Sequence, residues 1–371
     1  MRETDVAVIG GGIAGASAAW HLAGAGADVT VLERGTLAGE TTARSAAFFG
    51  FYGSDVERRL KRYGMARYNE FLAAPRARPE YERVGRLRVA TTAEGALPDG
   101  PGEFLDPSAL HERVLLPELD TDPLADARWN PDVGYHRPRP LAREFADRAR
   151  DRGATVETGA PVESIRTEDG CVTGVVADGE RIEARAVVCA AGPWNPRVAG
   201  LAGLALPLAH SRAPALRLER PGGTHTLPIV SHAESGVYVR GDGTGGALVG
   251  HHPTEPPAGT FDPDEVPDTV PGDIRERMWD VLGEFLPALA DARVTDEWVG
   301  VRSHTPDGYP IVGWTGIEGL SVAAFNSSGI QLSPAVGDVI ARQLVDGDPT
   351  EHHDALSVSR FEGHEEARFS L

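Results

Sequence analysis

Apolar residues in this chain come in short runs broken by glycine, and their spacing changes character along its 371 residues. Positions 6–9 are apolar throughout, as in a parallel strand buried on both faces. An alanine-rich helical stretch follows, then a second apolar run at 29–32. Helical periodicity predicts helices at about 56–72, 141–152 and 273–285. Residues 75–138 are rich in Pro and Arg, with a strand-like run at 86–91. From 153 to 190 the pattern alternates around the pairs Asp169-Gly170 and Asp178-Gly179. This predicts strand, strand, turn, strand, turn, strand, closing in an apolar run at 186–190. Alternation returns over 206–250, and the Pro- and Asp-rich segment 253–271 predicts a surface loop. Strand and turn fill 298–320, and 320–324 is a further apolar strand. In the last helix Ser333 reads as N-cap, Pro334 as the first helical residue and Gly347 as the stop. No internal repeat or low-complexity tract is visible.

The first forty residues carry the clearest chemistry. Gly10, Gly12 and Gly15 fall in G-x-G-x-x-G spacing between the first strand and helix, and Glu33 ends the second strand. Gly10 permits a tight turn, Gly12 lets a pyrophosphate approach the backbone, and Gly15 lets helix pack on strand. The helix N-terminus offers free N–H groups and a positive dipole end to phosphates. Glu33 can accept from ribose hydroxyls. Strand, glycines, helix, strand and acid in this order predict a bound dinucleotide.

Composition narrows the class. The length suits two to three domain-sized units, and 41% hydrophobic residues allow a substantial core. A net charge of −19 argues against nucleic acid or an anionic membrane surface as partner. Lys61 is the only lysine among the basic residues. No apolar stretch approaches the roughly 20 residues of a membrane span, and no secretory segment precedes the first strand, so a cytoplasmic enzyme is expected. Cys171 and Cys189 give no metal-ligand spacing, and the pair His251–His252 is no metal site by itself; no metal is expected.

Taken together, VIGGGIAGASAAWHL with Glu33, ETTARSAAFFGFYG (40–53), VVCAAGPW (187–194), ESGVYVR (234–240), WVGVRSHTPDGYPIVG (298–313) and NSSGIQLSPAVG (326–337) resemble the FAD-dependent D-amino-acid oxidase superfamily, which includes glycine and sarcosine oxidases. Within it the chain resembles D-arginine dehydrogenase-like D-amino-acid dehydrogenases. The resemblance implies an α/β fold with an α+β substrate part: a Rossmann-like FAD-binding domain (1–75, 139–205 and 300–371) interleaved with a mixed-sheet substrate domain (76–138 and 206–299). It implies non-covalent FAD. Ala14 and its neighbours would meet the pyrophosphate, and Glu33 and Arg34 the AMP ribose and adenine. Thr41, Thr42, Arg44, Ser45 and Ala46 would run along the phosphates and flavin. Val162 would meet the adenine, with Ala191 and Gly192 close by. Asn326, Ser327, Ser328, Gly329, Ile330, Gln331 and Leu332 would form the loop at the flavin pyrimidine end, and a helix starting at Pro334 would aim its positive end at N1/C2=O.

The implied activity is oxidation of an amino-acid C–N bond, with hydride passing from the α-carbon to flavin N5 and an imine hydrolysing to keto acid and ammonia. Arg302 matches the carboxylate-binding arginine, Tyr238 a substrate-facing tyrosine, Arg212 a second family arginine and Tyr52 a lid-side tyrosine. His304 reads as a supporting histidine. Phe48 stands where D-arginine dehydrogenases carry an active-site histidine, and Arg86 where they carry an acid, which favours an acidic or apolar side chain over a guanidinium. Leu248 replaces the lysine that sarcosine oxidases use with oxygen, so O2 and a quinone or carrier both stay open as acceptor. A secondary amine such as an N-alkyl amino acid is the alternative substrate. A flavin hydroxylase or a non-catalytic flavoprotein subunit is the alternative of another class.

Overall fold

A computed structural model describes residues 2–51, 53–73, 81–93, 97, 100–114, 116–220, 226–252 and 259–362. Its first sheet has a parallel centre. Arg2–Ile9 lies between Val29–Glu33 and Glu180–Cys189, so that Val8 sits beside Val31 and Val188. Thr155–Thr158 extends one side and Leu320–Ala324 the other. These strands are mostly apolar where they meet at residues 6–9, 29–32 and 186–189 because helices cover them: Ile13–Gly24 and Gly329–Ala341 pack Leu22, Val336 and Ile340 onto Val6, Val8 and Val188. Val162–Glu168 and Cys171–Ala177 form the antiparallel meander that leads into Glu180–Cys189. Its two turns are the Asp-Gly pairs, with φ of 52° and 83° at 169–170 and 47° and 74° at 178–179. Two consecutive positive φ values are what a tight hairpin demands, and Asp-Gly supplies them cheaply.

The second sheet runs in the order Val294–His304, Ala209–Leu218, Ala247–His251, Val237–Gly241, Ile229–His232, Arg86–Ala90, Asp126–Asn130, Glu103–Leu105. All its pairings are antiparallel except that of Ile229–His232 with Arg86–Ala90. One face is apolar: Leu216, Val230, Val239 and Val249 meet Met278, Leu282 and Phe285 of the helix Gly272–Phe285. Burying each such side chain contributes about 1.5–3 kcal/mol. Alternation sends Arg302, Tyr238, Ser231 and Arg86 to the opposite face. A small sheet of Phe48–Phe49, Gly134–His136 and Tyr81–Arg83 stands beside it.

Three helices fall close to expectation, at Asp55–Ala73, Pro138–Asp151 and Gly272–Phe285. The last helix does not. It begins at Gly329, after Ser328 at φ 47°, and Pro334 lies inside it. Pro334 has no N–H for the Ile330 carbonyl. The Tyr68 hydroxyl and the Ser333 hydroxyl, the latter at 3.1 Å, donate to that oxygen instead. Ser333 is therefore no N-cap, whereas Gly347 does end the helical run, at φ 70°. The expected boundary at 299/300 falls inside the unbroken strand Val294–His304.

Candidate active site

The glycine turn is fixed by contact between backbones. Gly10 has φ +113°, and a Cβ on it would lie 2.6 Å from the Ala190 carbonyl oxygen. A Cβ on Gly15 would overlap the Gly10 carbonyl oxygen. Gly12 gives the helix Ile13–Gly24 no side-chain cap. The Ile13 N–H donates to Thr42 Oγ1 at 3.0 Å, and Ile13 and Ala14 line the cavity. Glu33 accepts from the Gly11 and Gly35 N–H groups, each at 2.7 Å. A carboxylate has about four lone-pair sites, so Glu33 braces the turn and keeps acceptors for ribose hydroxyls.

A continuous cavity of about 490 Å³ starts at this turn. Gly10, Gly12, Ala14, Glu33 and Arg34 line one end, and Thr41, Thr42, Arg44, Ser45 and Ala46 follow. Val162, Ala191 and Gly192 form one wall, and Ser327, Ser328, Gly329 and Ile330 another. A helix that starts on a glycine with no capping side chain of its own, small residues where a Cβ would collide, and an acid ending the second strand fit a dinucleotide. Four expected contacts do not line the cavity. Gly15 lies under the turn. Asn326 Oδ1 accepts the Thr305 N–H at 3.0 Å. Gln331 Oε1 accepts the Gly50 N–H at 3.3 Å, and Leu332 is fully buried. For Gln331 and Leu332 the reason is the early helix start: from Gly329 onward the chain is helical, which turns both inward. The N-terminal end at the cavity is Gly329, not Pro334.

The far end of the cavity is lined by Phe48, Tyr238, His252, Gly300 and Arg302. Gly250 lies opposite Tyr238 on the next strand, and a Cβ there would fall on the Tyr238 hydroxyl. The ring therefore lies flat across that strand. It stacks on His252 at 4.6 Å and 28°, and meets the edge of Phe48 at 4.9 Å. Burial pushes the Tyr238 phenol up to about 12, against the pull of Arg240 and Arg302, so it remains a hydrogen-bond donor. Burial, then Arg302 and Arg86, hold His252 well below the ordinary histidine range, so its ring is neutral. Arg86 stands next to this group, its guanidinium 5.8 Å from the Phe48 ring and its Nε–H donating to Ser231 Oγ at 3.1 Å.

His252 is the residue that sequence reading passed over. Its signal was period two: Gly250 and His252 share the face that carries Tyr238. Arg212 is the converse. Ser211 shares the face of Arg302, so Arg212, one residue on, points away; it is exposed, with its guanidinium 5.2 Å from the Phe261 ring. Tyr52 lies outside the described residues. His304 is fully buried and its Nε2 meets Ser211 Oγ at 2.7 Å, which ties together the two strands beside Arg302. Among the described residues there is no metal-binding cluster, and no helix is long and apolar enough to cross a membrane.

Comparison with known proteins agrees with this geometry. The chain is 29% identical over 390 residues to 4-methylaminobutanoate oxidase (formaldehyde-forming) of Paenarthrobacter nicotinovorans, covering 97% of this chain and 46% of that one. It is 28% identical over 392 residues to human mitochondrial sarcosine dehydrogenase, covering 96% and 41%. It thus spans less than half the length of these two relatives. The crystal structure of glycine oxidase from Geobacillus kaustophilus superposes with a TM-score of 0.82 at 26% identity, over 97% of this chain and 99% of that one. The model of the FAD dependent oxidoreductase family matches residues 5–343. With the dinucleotide turn at one end of the cavity and an arginine–tyrosine pair at the other, the chain belongs to the FAD-dependent oxidoreductase family.

Proposed function

We propose that the protein oxidises the C–N bond of a small amino acid or N-alkyl amino acid, giving an imine that hydrolyses, with O2 or a quinone or carrier as final acceptor. The observation that carries this reading is the convergence of Arg302, Tyr238 and His252 on the cavity that begins at Gly10. FAD, when bound, supplies the hydride acceptor at N5. The chain supplies position. Arg302 holds the substrate carboxylate through its planar fork, and the Tyr238 hydroxyl donates to the same carboxylate. The neutral His252 ring and Phe48 form an apolar wall that excludes water around the reacting carbon and leaves the amine unpaired with any fixed anion. The segments around the first sheet serve as the cofactor unit and those of the second as the substrate unit. N-methyl substrates are the second reading, favoured by the likeness to 4-methylaminobutanoate oxidase and sarcosine dehydrogenase.

Two outcomes follow. No cysteine is among the described residues that line the cavity, and its histidine, His252, is stacked on Tyr238, so acid precipitation should leave yellow FAD in the supernatant; flavin that stays in the pellet contradicts non-covalent binding. The positive field of Arg302 and Arg86, felt by His252, disfavours cationic side chains. In anaerobic flavin bleaching at matched concentrations, acidic or neutral amino acids and N-methylglycine should therefore outrun D-Arg and D-Lys, and Arg86→Glu should narrow the gap. A wild type that prefers D-Arg, or a ranking unmoved by Arg86→Glu, overturns this account of specificity. A chain that no amine bleaches sinks the function itself.

A further inference from the structure

The Pro- and Asp-rich segment ahead of the helix Gly272–Phe285 does not stand free where it is described. Residues 260–264 lie back against the grip end of the cavity. Thr260 Oγ1 and His210 Nδ1 are 2.7 Å apart. Phe261 packs 5.9 Å from the His210 ring and 5.2 Å from the Arg212 guanidinium. Asp262 accepts from Arg197 at 2.6 Å. Asp264 accepts from Arg34 at 2.9 Å, from Arg197 at 2.6 Å and from Trp194 Nε1 at 2.8 Å. Arg34 also stacks on Trp194 at 4.2 Å. Arg34, Trp194 and Arg197 all line the cavity. Asp262 also accepts the Asp264 N–H at 3.0 Å, which fixes the two acids relative to each other. Partial burial opposes charge on Asp264, yet hydrogen bonds from Arg34, Arg197 and Trp194 hold its carboxyl at about 2.

We propose that residues 260–264 are a latch over the AMP end of the FAD site, and that Asp264, by fixing Arg34, Trp194 and Arg197, sets how slowly the cofactor leaves. Three stretches of chain meet at this one carboxylate. Arg34 follows the second strand of the first sheet, Trp194 and Arg197 follow its strand Glu180–Cys189, and Asp264 comes from the second sheet's side. The side chains of Arg34 and Asp264 are 41% exposed and that of Arg197 51%. Single pairs so exposed are worth little, but three donors on one acceptor act together. The same exposure leaves the network open to salt, which makes it a latch rather than a fixed wall. Asp264 is a positioning residue here, and the reading rests on the cofactor, not on any particular substrate.

The test is FAD release from the holoenzyme, followed by flavin fluorescence after dilution into an excess of a flavin-trapping apoprotein. Wild-type release should accelerate as NaCl rises from about 0.05 to about 1 M. Asp264→Asn should release about tenfold faster at low salt and lose most of the salt response. Asp264→Glu should restore slow, salt-sensitive release. A purely structural role would lower the melting temperature and leave the salt response intact. Asp264→Asn with wild-type release and salt response overturns the proposal, as does Asp264→Glu releasing as fast as the amide. Wild-type release that ignores salt overturns it without any variant, so a variant that fails to fold does not shelter it.

Discussion

Arg302→Ala is expected to lower kcat/KM by about 10²-fold or more while FAD content stays at the wild-type level. Arg302 lies at the end of the cavity opposite the glycine turn, so its removal leaves the cofactor grip untouched. In the proposed role, what is lost is a charge-assisted, two-pronged hold on the substrate carboxylate. Each such bond is worth about 1.5–3 kcal/mol, so losing the pair readily reaches the roughly 2.7 kcal/mol that a hundredfold change requires. Arg302→Lys should recover little, because an ammonium keeps the charge but not the planar fork. Steady-state kinetics with flavin content measured on the same sample decides it. Near-wild-type turnover in Arg302→Ala removes this residue from the carboxylate role.

Gly15→Ala should yield protein with little or no FAD. The added Cβ would overlap the Gly10 carbonyl oxygen, and neither atom belongs to a rotatable side chain. Gly10 cannot retreat, because it already approaches the Ala190 carbonyl within the space a Cβ would need. The helix Ile13–Gly24 must lift from the strand, which moves the Ala14 amide away from the phosphates. Overpacking of this kind costs about 1–3 kcal/mol, and the anion site at the helix N-terminus goes with it. Gly200→Ala is the matched control: nothing lies within 4 Å of a Cβ there. Absorbance at the flavin band and a melting curve read both variants. Full flavin content and an unchanged melting temperature in Gly15→Ala would show that the turn tolerates a side chain.

What the sequence made legible was local. The glycine turn, the Asp-Gly hairpins and the apolar strands each announce themselves within a few neighbours, because turn geometry and burial act on neighbouring residues. The place of Arg302 and Tyr238 on the cavity was legible through their flanking blocks. Arg212 was misplaced because a one-residue step along a strand reverses the face. The start of the last helix was misjudged because the carbonyl freed by Pro334 is satisfied by Ser333, whose hydroxyl reads as a cap, and by Tyr68, a residue from a distant helix that no local pattern links to it. His252 was missed because, beside His251 at a strand end, too few positions remain for alternation to show. The acids at 262 and 264 fall in a segment whose composition predicts only a surface loop, since their partners come from segments far away in sequence.

The strand Glu180–Cys189 divides one edge between two neighbours. Its first half pairs with Cys171–Ala177, and its second half, at 187–189, with Leu320–Ala324. During translation the first partner leaves the ribosome just ahead of this strand, and the second only after the second sheet's remaining strands have emerged. The growing chain therefore carries an open, wholly apolar edge at Val187, Val188 and Cys189 for that whole interval. Such an edge invites wrong pairing with another chain, and non-local closure of this kind is slow. The edge at 187–189 can thus be covered only after every strand of the second sheet has been made, so this sheet is expected to complete after that one.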